Sequence, residues 1–388
     1  MIEPGRFVIT GIGIASPAGR DPDTCFETLS RGQPLFRERK VFGERAPGVP
    51  VASVDDAGPD HGIPRRLAKK IDRFTLLALM AARGALADAK IEVRADIDER
   101  IGMVIGNATG GWSFVEPMMY GLFTEGMGAI SSYVATAWFP AAPQGEISIL
   151  LRLAGYSKTV SADRISAGFA LEQALRSVGA GRAPFMLAGG AEAPLNALVL
   201  GAHLQGGGLA AEGAGRLGEG AALLVVECKE SAAARSRAPY AQVLAAESGP
   251  TLGDAVRRCL FRSGVPGGEI DHVLLDAPGD PAAGAEELAM IQEVFLNRPD
   301  LRVSAPKTMY GDLLGAGMAA DVASACLGLS RQVVLPSAAG TRLPGGPYPF
   351  RHVEGAAEPC RLRHVLVNGR DHEGRGFAVL LGESDPHS

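Results

Sequence analysis

The sequence predicts an α/β protein built from two similar halves, and three observations predict it. Short β-rich runs alternate with helical patterns along all 388 residues. The runs fall into two sets of five, one before about Glu227 and one after it, with comparable spacing and helical crossovers. Apolar residues make up 46% of the chain and charged residues 21%, the balance of a folded chain with a sizeable core.

The first set reads Arg6–Ile14 (RFVITGIGI), Ile101–Ile105, Lys158–Ser161, Phe185–Ala188 and Ala221–Val226. The second reads Ala241–Ala246, Asp271–Leu275, Leu301–Ser304, His364–Val367 and Gly376–Leu381. Their Val, Ile and Leu content fits strands buried on both faces. Helical spacing fills the gaps. Phe74, Leu77, Ala78, Ala81, Ala85 and Leu86 form one apolar face in Asp72–Ala89. Ala170, Leu171, Ala174, Leu175 and Val178 do the same in Ser166–Gly179. Two more faces are marked by Val256, Leu260 and Phe261, and by Leu288, Ile291, Val294 and Phe295. Gly315–Leu329 is helical and rich in small residues, which suits closely packed buried helices. Pro117 predicts a helix start near that position, because proline is tolerated in a first turn and not inside a helix. Arg31–Gly58 and Pro336–Gly355 read as surface loops, and Gly206–Gly220 as a flexible one. The halves are expected to divide at 1–235 and 236–388.

Charge and cysteine usage exclude several classes. The net charge is −5 and no Lys/Arg-rich run occurs, so no nucleic-acid partner is expected. No stretch of ~18 apolar residues predicts a membrane span. The opening residues lack the basic and apolar regions of a signal peptide. Five scattered cysteines without a CxxC pair argue against disulfides or a metal site and for a cytoplasmic setting. The G-x-G in TGIGIASPAG lacks the third glycine and the following acid of a dinucleotide site.

Five segments in order carry a resemblance. VITGIGIASPAG (8–19), IDRFTLLALMAARGALADAKI (71–91), TVSADRISAG (159–168), LAGGAEAP (187–194) and SAPKTMYGDLLGAG (304–317) resemble successive motifs of the β-ketoacyl-ACP synthases. The resemblance spans about residues 6–383. It implies a thiolase fold: two fused α/β halves with stacked mixed five-stranded sheets in α-β-α-β-α layers, normally dimeric.

The resemblance also locates the catalytic positions, and there this chain departs. The family uses a Cys nucleophile and two His. Arg164 stands in the Cys place, Asp276 in the first His place and Asp312 in the second, while Lys307 is retained. A guanidinium stays protonated and cannot act as a nucleophile. His272 lies too early on its strand for the family role. One branch resembles ketosynthases throughout yet replaces the Cys: the chain length factor, or ketosynthase β, of type II polyketide synthases. SSYVATAWFPAAPQGEISI (131–149), Asp276–Ala277 and APKTMYGDLLGAGMAADVASA resemble that branch. Its usual Gln is Arg164 here, and Glu146 also departs from its pattern. The four charges at Arg164, Asp276, Lys307 and Asp312 sum to zero. Arg164 is therefore expected to pair with Asp276 or Asp312; the alternative is that it points elsewhere and the acids bind Lys307 or water.

Aromatics are scarce, 22 in all, yet seven fall within residues 112–139, where chance would place about 1.6. Both tryptophans are among them. The resemblance places a partner-facing, cavity-lining segment here, within 109–150. Trp112, Phe114, Met118, Met119 and Phe123 are expected to bound the substrate cavity, and Tyr133, Trp138, Phe139 and Glu146 to belong to the interface. The alternative reading is a plain hydrophobic interface.

The resemblance thus implies a catalytically inactive, cytoplasmic subunit that pairs with an active ketosynthase and shapes the cavity controlling chain length. It implies no cofactor or metal of its own. Substrates would ride on the phosphopantetheine of an acyl carrier protein, for which Arg65, Arg66, Lys69 and Lys70 form a small basic patch. The alternatives are an independent acyltransferase or decarboxylase on the same fold, and a purely structural scaffold.

Overall fold

The computed structural model describes residues 3–54, 63–205, 216–277, 280–296 and 298–384. Ten strands form the frame. The first five are β1 (Phe7–Ala15), β2 (Ile101–Gly106), β3 (Ser157–Val160), β4 (Phe185–Glu192) and β5 (Gly220–Cys228). The next five are β6 (Ala241–Gly249), β7 (His272–Leu274), β8 (Arg302–Ser304), β9 (His364–Arg370) and β10 (Gly376–Gly382). Each predicted run becomes one of them, with ends displaced by a few residues.

Hydrogen bonds order these strands β8-β7-β9-β10-β6-β1-β5-β4-β2-β3, and Arg351–His352 adds a two-residue edge beside β8. Counted within its own set, each half runs 3-2-4-5-1. In the first half β2 is parallel to β3 and β4, and β5 is antiparallel to β4 and β1. The second half repeats those directions, β7 with β8 and β9, and β10 with β9 and β6. The halves meet where β1 pairs antiparallel with β6, through Phe7–Val243, Val8–Gln242 and Ile9–Ala241.

The main helices are α1 (Arg73–Asp88), α2 (Trp112–Glu125), α3 (Val134–Trp138), α4 (Ala142–Leu151), α5 (Ser166–Gly179), α6 (Leu252–Ser263), α7 (Pro281–Phe295) and α8 (Gly317–Arg331). On the outer face of the first set, Leu77, Ala81 and Ala85 of α1 and Ile147 of α4 pack on Met103, Ile105 and Leu223. On the outer face of the second, Val256, Leu288 and Ile291 pack on Val273, Leu366 and Leu380. Between the sets, Leu171 and Leu175 of α5 join Met318 and Leu327 of α8 in one core with Val104 and Val365. This gives the five expected layers. The approach of α1 to β1 requires glycine: a Cβ on Gly13 would lie 1.8 Å from the Ala81 carbonyl oxygen. Among the described residues no helix is long and apolar enough to cross a membrane.

Three expectations change. First, α2 begins at Trp112, and Pro117 is its sixth residue. The reason is tertiary: the Asp72 carboxylate accepts the Phe114 N–H at 2.6 Å, so the first turn is capped from α1 and forms upstream of the proline. Second, the 31–58 loop is partly core. Arg37–Arg39 pairs with Val49–Val51, and both valines pack with Leu195, Leu200 and Leu217. Third, Pro336–Gly355 contributes the sheet edge and the buried Ala338, Phe350 and Val353. Most of the predicted glycine loop, residues 206–215, lies outside the described residues, and Gly218 and Gly220 are buried.

Candidate functional site

The turn between β3 and α5 carries Arg164. Asp163 precedes it at φ +52°, a left-handed conformation that a non-glycine residue adopts only when held. Two sets of contacts hold it. The Ser166 hydroxyl donates to the Asp163 carbonyl at 2.6 Å. The Asp163 carboxylate accepts the His372 N–H at 2.7 Å and contacts its Nδ1 at 2.5 Å.

This geometry turns the Arg164 side chain inward, where it is 7% exposed. Nε donates to Asp312 Oδ2 at 2.7 Å. Nη1 donates to Asp276 Oδ2 and to the Arg370 carbonyl, each at 3.2 Å. Arg164 therefore pairs with both aspartates rather than with one. Lys307 sits beside them, 2.7 Å from Asp321 Oδ2 and 3.9 Å from Asp276 Oδ1. Asp312 is fixed in turn by the Leu314 N–H at 2.8 Å.

The electrostatics follow from burial and neighbours. Burial works against the Arg164 charge, but Asp276 and Asp312 outweigh it and raise its pKa. Burial opposes the Asp312 charge too, and Arg164 and Lys307 reverse that, leaving its carboxyl below the ordinary value. Lys307 is likewise raised by Asp321 and Asp276 against its burial. Asp321 is pushed up to about 6 by burial. Glu287 is raised by burial and by Asp276; it accepts the Asp276 N–H at 2.8 Å and the Asn368 amide at 2.8 Å.

Sequence reasoning missed Asp321 and Glu287. The available signal for Asp321 was a single acid in the first two turns of a helix otherwise made of small and apolar residues. Counting it, Arg164 and Lys307 face three aspartates, so the cluster is not the neutral quartet expected.

Such a cluster holds neither a thiol nor an imidazole. All five cysteines have thiols raised above their ordinary value, chiefly by burial, and Cys25 reaches about 12. Arg6 beside Cys228, and Arg302 and Arg351 near Cys360, favour the thiolate, but burial outweighs them. His272 is buried on β7 with Nε2 2.9 Å from Ser304 Oγ, and burial lowers its pKa from 6.5 to about 3. Below pH 6.5 the unfolded chain takes up a proton that the folded chain refuses. The stability tied to neutral His272 is therefore present above that pH and lost as pH falls toward 3. His272→Gln is expected to remove one proton from this dependence, about 1.4 kcal/mol per pH unit. Urea titrations at several pH values between 7 and 4 measure it, and equal slopes in both proteins would refute it.

The aromatic segment follows β2, at the same strand end as the Arg164 turn, since β2 and β3 run parallel and the Ser166 hydroxyl also donates to the Asn107 carbonyl at 3.1 Å. Its base is tied down by polar contacts. Asn107 Nδ2 donates to the Pro140 carbonyl at 2.8 Å, and Ser113 Oγ to the Ala193 carbonyl at 3.1 Å. The Glu116 carboxylate accepts the Ala197 N–H at 3.0 and 3.1 Å, at the start of the helix Ala197–Gln205. Glu192, pushed up to about 7 by burial, accepts from the Ala108 and Thr109 amides and the Thr109 hydroxyl. Trp112 and Trp138 pack edge to face with ring centroids 6.0 Å apart.

Beyond this base the apolar side chains face outward. Of fourteen exposed large hydrophobic residues among those described, eight lie between Met119 and Ile149, including Tyr120, Phe123, Met127, Tyr133, Trp138 and Phe139. Trp112, Phe114 and Met118 are half-buried, as is Glu146, whose carboxyl is raised by burial. An apolar surface of this extent marks a binding face. Arg65, Arg66, Lys69 and Lys70 are exposed nearby, and Lys70 Nζ lies 4.7 Å from the Tyr133 ring centroid.

Comparison with known proteins agrees with this architecture. The family described as "Beta-ketoacyl synthase, N-terminal domain" matches residues 5–232, and "Beta-ketoacyl synthase, C-terminal domain" matches 227–341. The chain is 30% identical to the actinorhodin polyketide putative beta-ketoacyl synthase 2 of Streptomyces coelicolor, over 98% of this chain and 99% of that one. It is 32% identical to the tetracenomycin polyketide synthase ketoacyl synthase beta subunit of Streptomyces glaucescens, with the same coverage. The fold matches the ishigamide ketosynthase/chain length factor with a TM-score of 0.86 at 22% identity, over 98% of this chain and 100% of that one. The chain belongs to the beta-ketoacyl synthase family and, within it, to the ketosynthase β, or chain length factor, branch.

Proposed function

We propose that this chain performs no condensation of its own and instead pairs with an active ketosynthase, shaping the cavity that limits chain length. The observation that carries the reading is Arg164, buried and bound to Asp276 and Asp312 where the chemistry needs a thiolate and two imidazoles. A permanently charged guanidinium neither attacks a thioester nor gives up a proton. The aspartates cannot substitute for the imidazoles, because both are engaged by Arg164.

The partner would then supply the Cys and both His, and meet this chain across the apolar face of α2, α3 and α4. Trp112, Phe114, Met118, Met119 and Phe123 are the proposed cavity residues. Rigid aromatics there act as stops, whereas the methionines adapt. Tyr133, Trp138, Phe139 and Glu146 are the proposed interface residues. Substrates would arrive on the phosphopantetheine of an acyl carrier protein, with Arg65, Arg66, Lys69 and Lys70 available to its acidic surface.

Co-expression with the ketosynthase encoded beside it is expected to give a 1:1 complex. The chain alone, offered malonyl and acyl carrier substrates, is expected to show neither turnover nor covalent acylation. In the active complex, Trp112→Ala or Met119→Ala is expected to lengthen the products. Robust activity of the chain alone would favour an independent enzyme, and unchanged product length a scaffold.

A further inference from the structure

Helix α2 has no cap of its own. Its N-cap residue is Gly111, which offers no side chain to the first-turn amides. A side chain there is excluded, because a Cβ on Gly111 would lie 2.2 Å from the Ala137 carbonyl oxygen and 3.0 Å from Asp72 Cβ. The acceptor that an N-cap residue normally provides comes from Asp72, at the start of α1. Oδ2 accepts the Phe114 N–H at 2.6 Å, the third helical position, and Oδ1 accepts the Phe74 N–H at 2.9 Å in α1 itself. One carboxylate therefore caps two helices, each oxygen serving one, and sits at the positive end of both. The Gly111 N–H donates to the Trp138 carbonyl at 3.1 Å, so the end of α3 is registered against the same point.

We infer that Asp72 is the positioning residue of α2, setting the depth at which Trp112, Phe114 and Met118 are presented by holding α2 in register with α1. The inference rests on the reading of α2 as the cavity segment. Asp72 is 1% exposed, and burial raises its carboxyl to about 6 against the pull of its two amide donors. Its protonated form keeps one acceptor oxygen and turns a hydroxyl to the other amide, so one helix loses its cap. The charged groups around it are Arg73, which favours the anion, and Glu219, which opposes it. Arg73 is itself bound to Glu219, with Nε 2.6 Å from Oε2. Across the segment, Lys70 lies over Tyr133, Glu116 caps Ala197 and Glu192 holds Ala108 and Thr109. Glu192 is the other group here that titrates near neutrality. A cleft lined by Ala68, Ile71, Leu76 and Ser113 opens beside Asp72, giving the first turn of α2 room to reseat.

Both tryptophans of the chain lie on this segment, so intrinsic tryptophan emission of the full chain reads its seating directly. Emission recorded from pH 8 to pH 5 is expected to change with a midpoint near 6 in the wild type and in Glu192→Gln, and to stay flat in Asp72→Asn. An asparagine can accept only one of the two amides. A flat wild-type curve, or a step near 6 that survives in Asp72→Asn, would overturn the inference. In the complex with an active ketosynthase, Asp72→Asn is expected to raise the share of products of altered length about fivefold, the effect of one lost cap, with total turnover little changed. If Met119→Ala alters product length and Asp72→Asn does not, the positioning role fails and the cavity reading stands. If neither does, the cavity reading fails and takes this inference with it. Should Asp72→Asn not fold, the wild-type titration against Glu192→Gln decides the matter.

Discussion

Arg164→Ala is expected to destabilise the chain by about 3–5 kcal/mol, the loss seen when one partner of a buried ion pair is removed. The side chain is 7% exposed and serves Asp276, Asp312 and the Arg370 carbonyl at once. Alanine leaves two carboxylates buried beside Asp321, with Lys307 as the remaining cation. Arg164→Lys is expected to recover only part of the loss, because one ammonium cannot copy the fork that reaches both acids. Replacing Arg164, Asp276 and Asp312 together by apolar residues of similar volume is expected to cost far less than Arg164→Ala. The acid limb gives an independent check. Asp312 is held below its ordinary value, so its contribution is present at neutral pH and lost as pH falls through the folded-state pKa. In Arg164→Ala that part of the acid sensitivity should disappear. Denaturant midpoints measure all of this, and a loss under about 1 kcal/mol for Arg164→Ala would show that the cluster does not bear on stability.

Phe139→Asp is expected to weaken association with the active ketosynthase at least about 100-fold while leaving the chain's own melting temperature nearly unchanged. The two effects separate because Phe139 is 57% exposed in the isolated chain, so the folded monomer gains little from it. In a complex that covers this face, the change loses an aromatic contact and buries an unpaired charge. Phe261→Asp is the control: that residue is 82% exposed, but on α6, which packs on the second set of strands and not on the first. Co-purification should survive Phe261→Asp and fail for Phe139→Asp. Equal behaviour of the two variants would count against α2–α4 as the pairing surface.

The strand frame was readable because it depends on local composition. Near-continuous apolar runs such as Ala221–Val226 become strands wherever the chain places them, and all ten did. Helix α2 shows where local rules stop. Pro117 points to a helix beginning there, yet a carboxylate more than forty residues upstream caps the amide of Phe114. No window around Pro117 contains that information. The candidate site divides in the same way. Arg164, Asp276, Lys307 and Asp312 could be placed by aligning motifs, and they do converge. Asp321 and Glu192 lie inside those motifs and Glu287 outside them, but the buried partners that each one serves are brought to it only by folding. The pairing of Asp163 with His372 joins residues 209 apart, and only folding reveals it.

The double embrace of Arg164 also bears on how such a chain could change over evolutionary time. Returning a cysteine to that turn by one substitution would seat a thiol between Asp276 and Asp312. Their negative charge would hold it protonated, the opposite of what a nucleophile requires. Restoring either histidine first would strip Arg164 of a counter-ion in the core and cost stability before any activity was gained. Each single step is expected to cost stability before any activity is gained, so the charge cluster works as a ratchet against return.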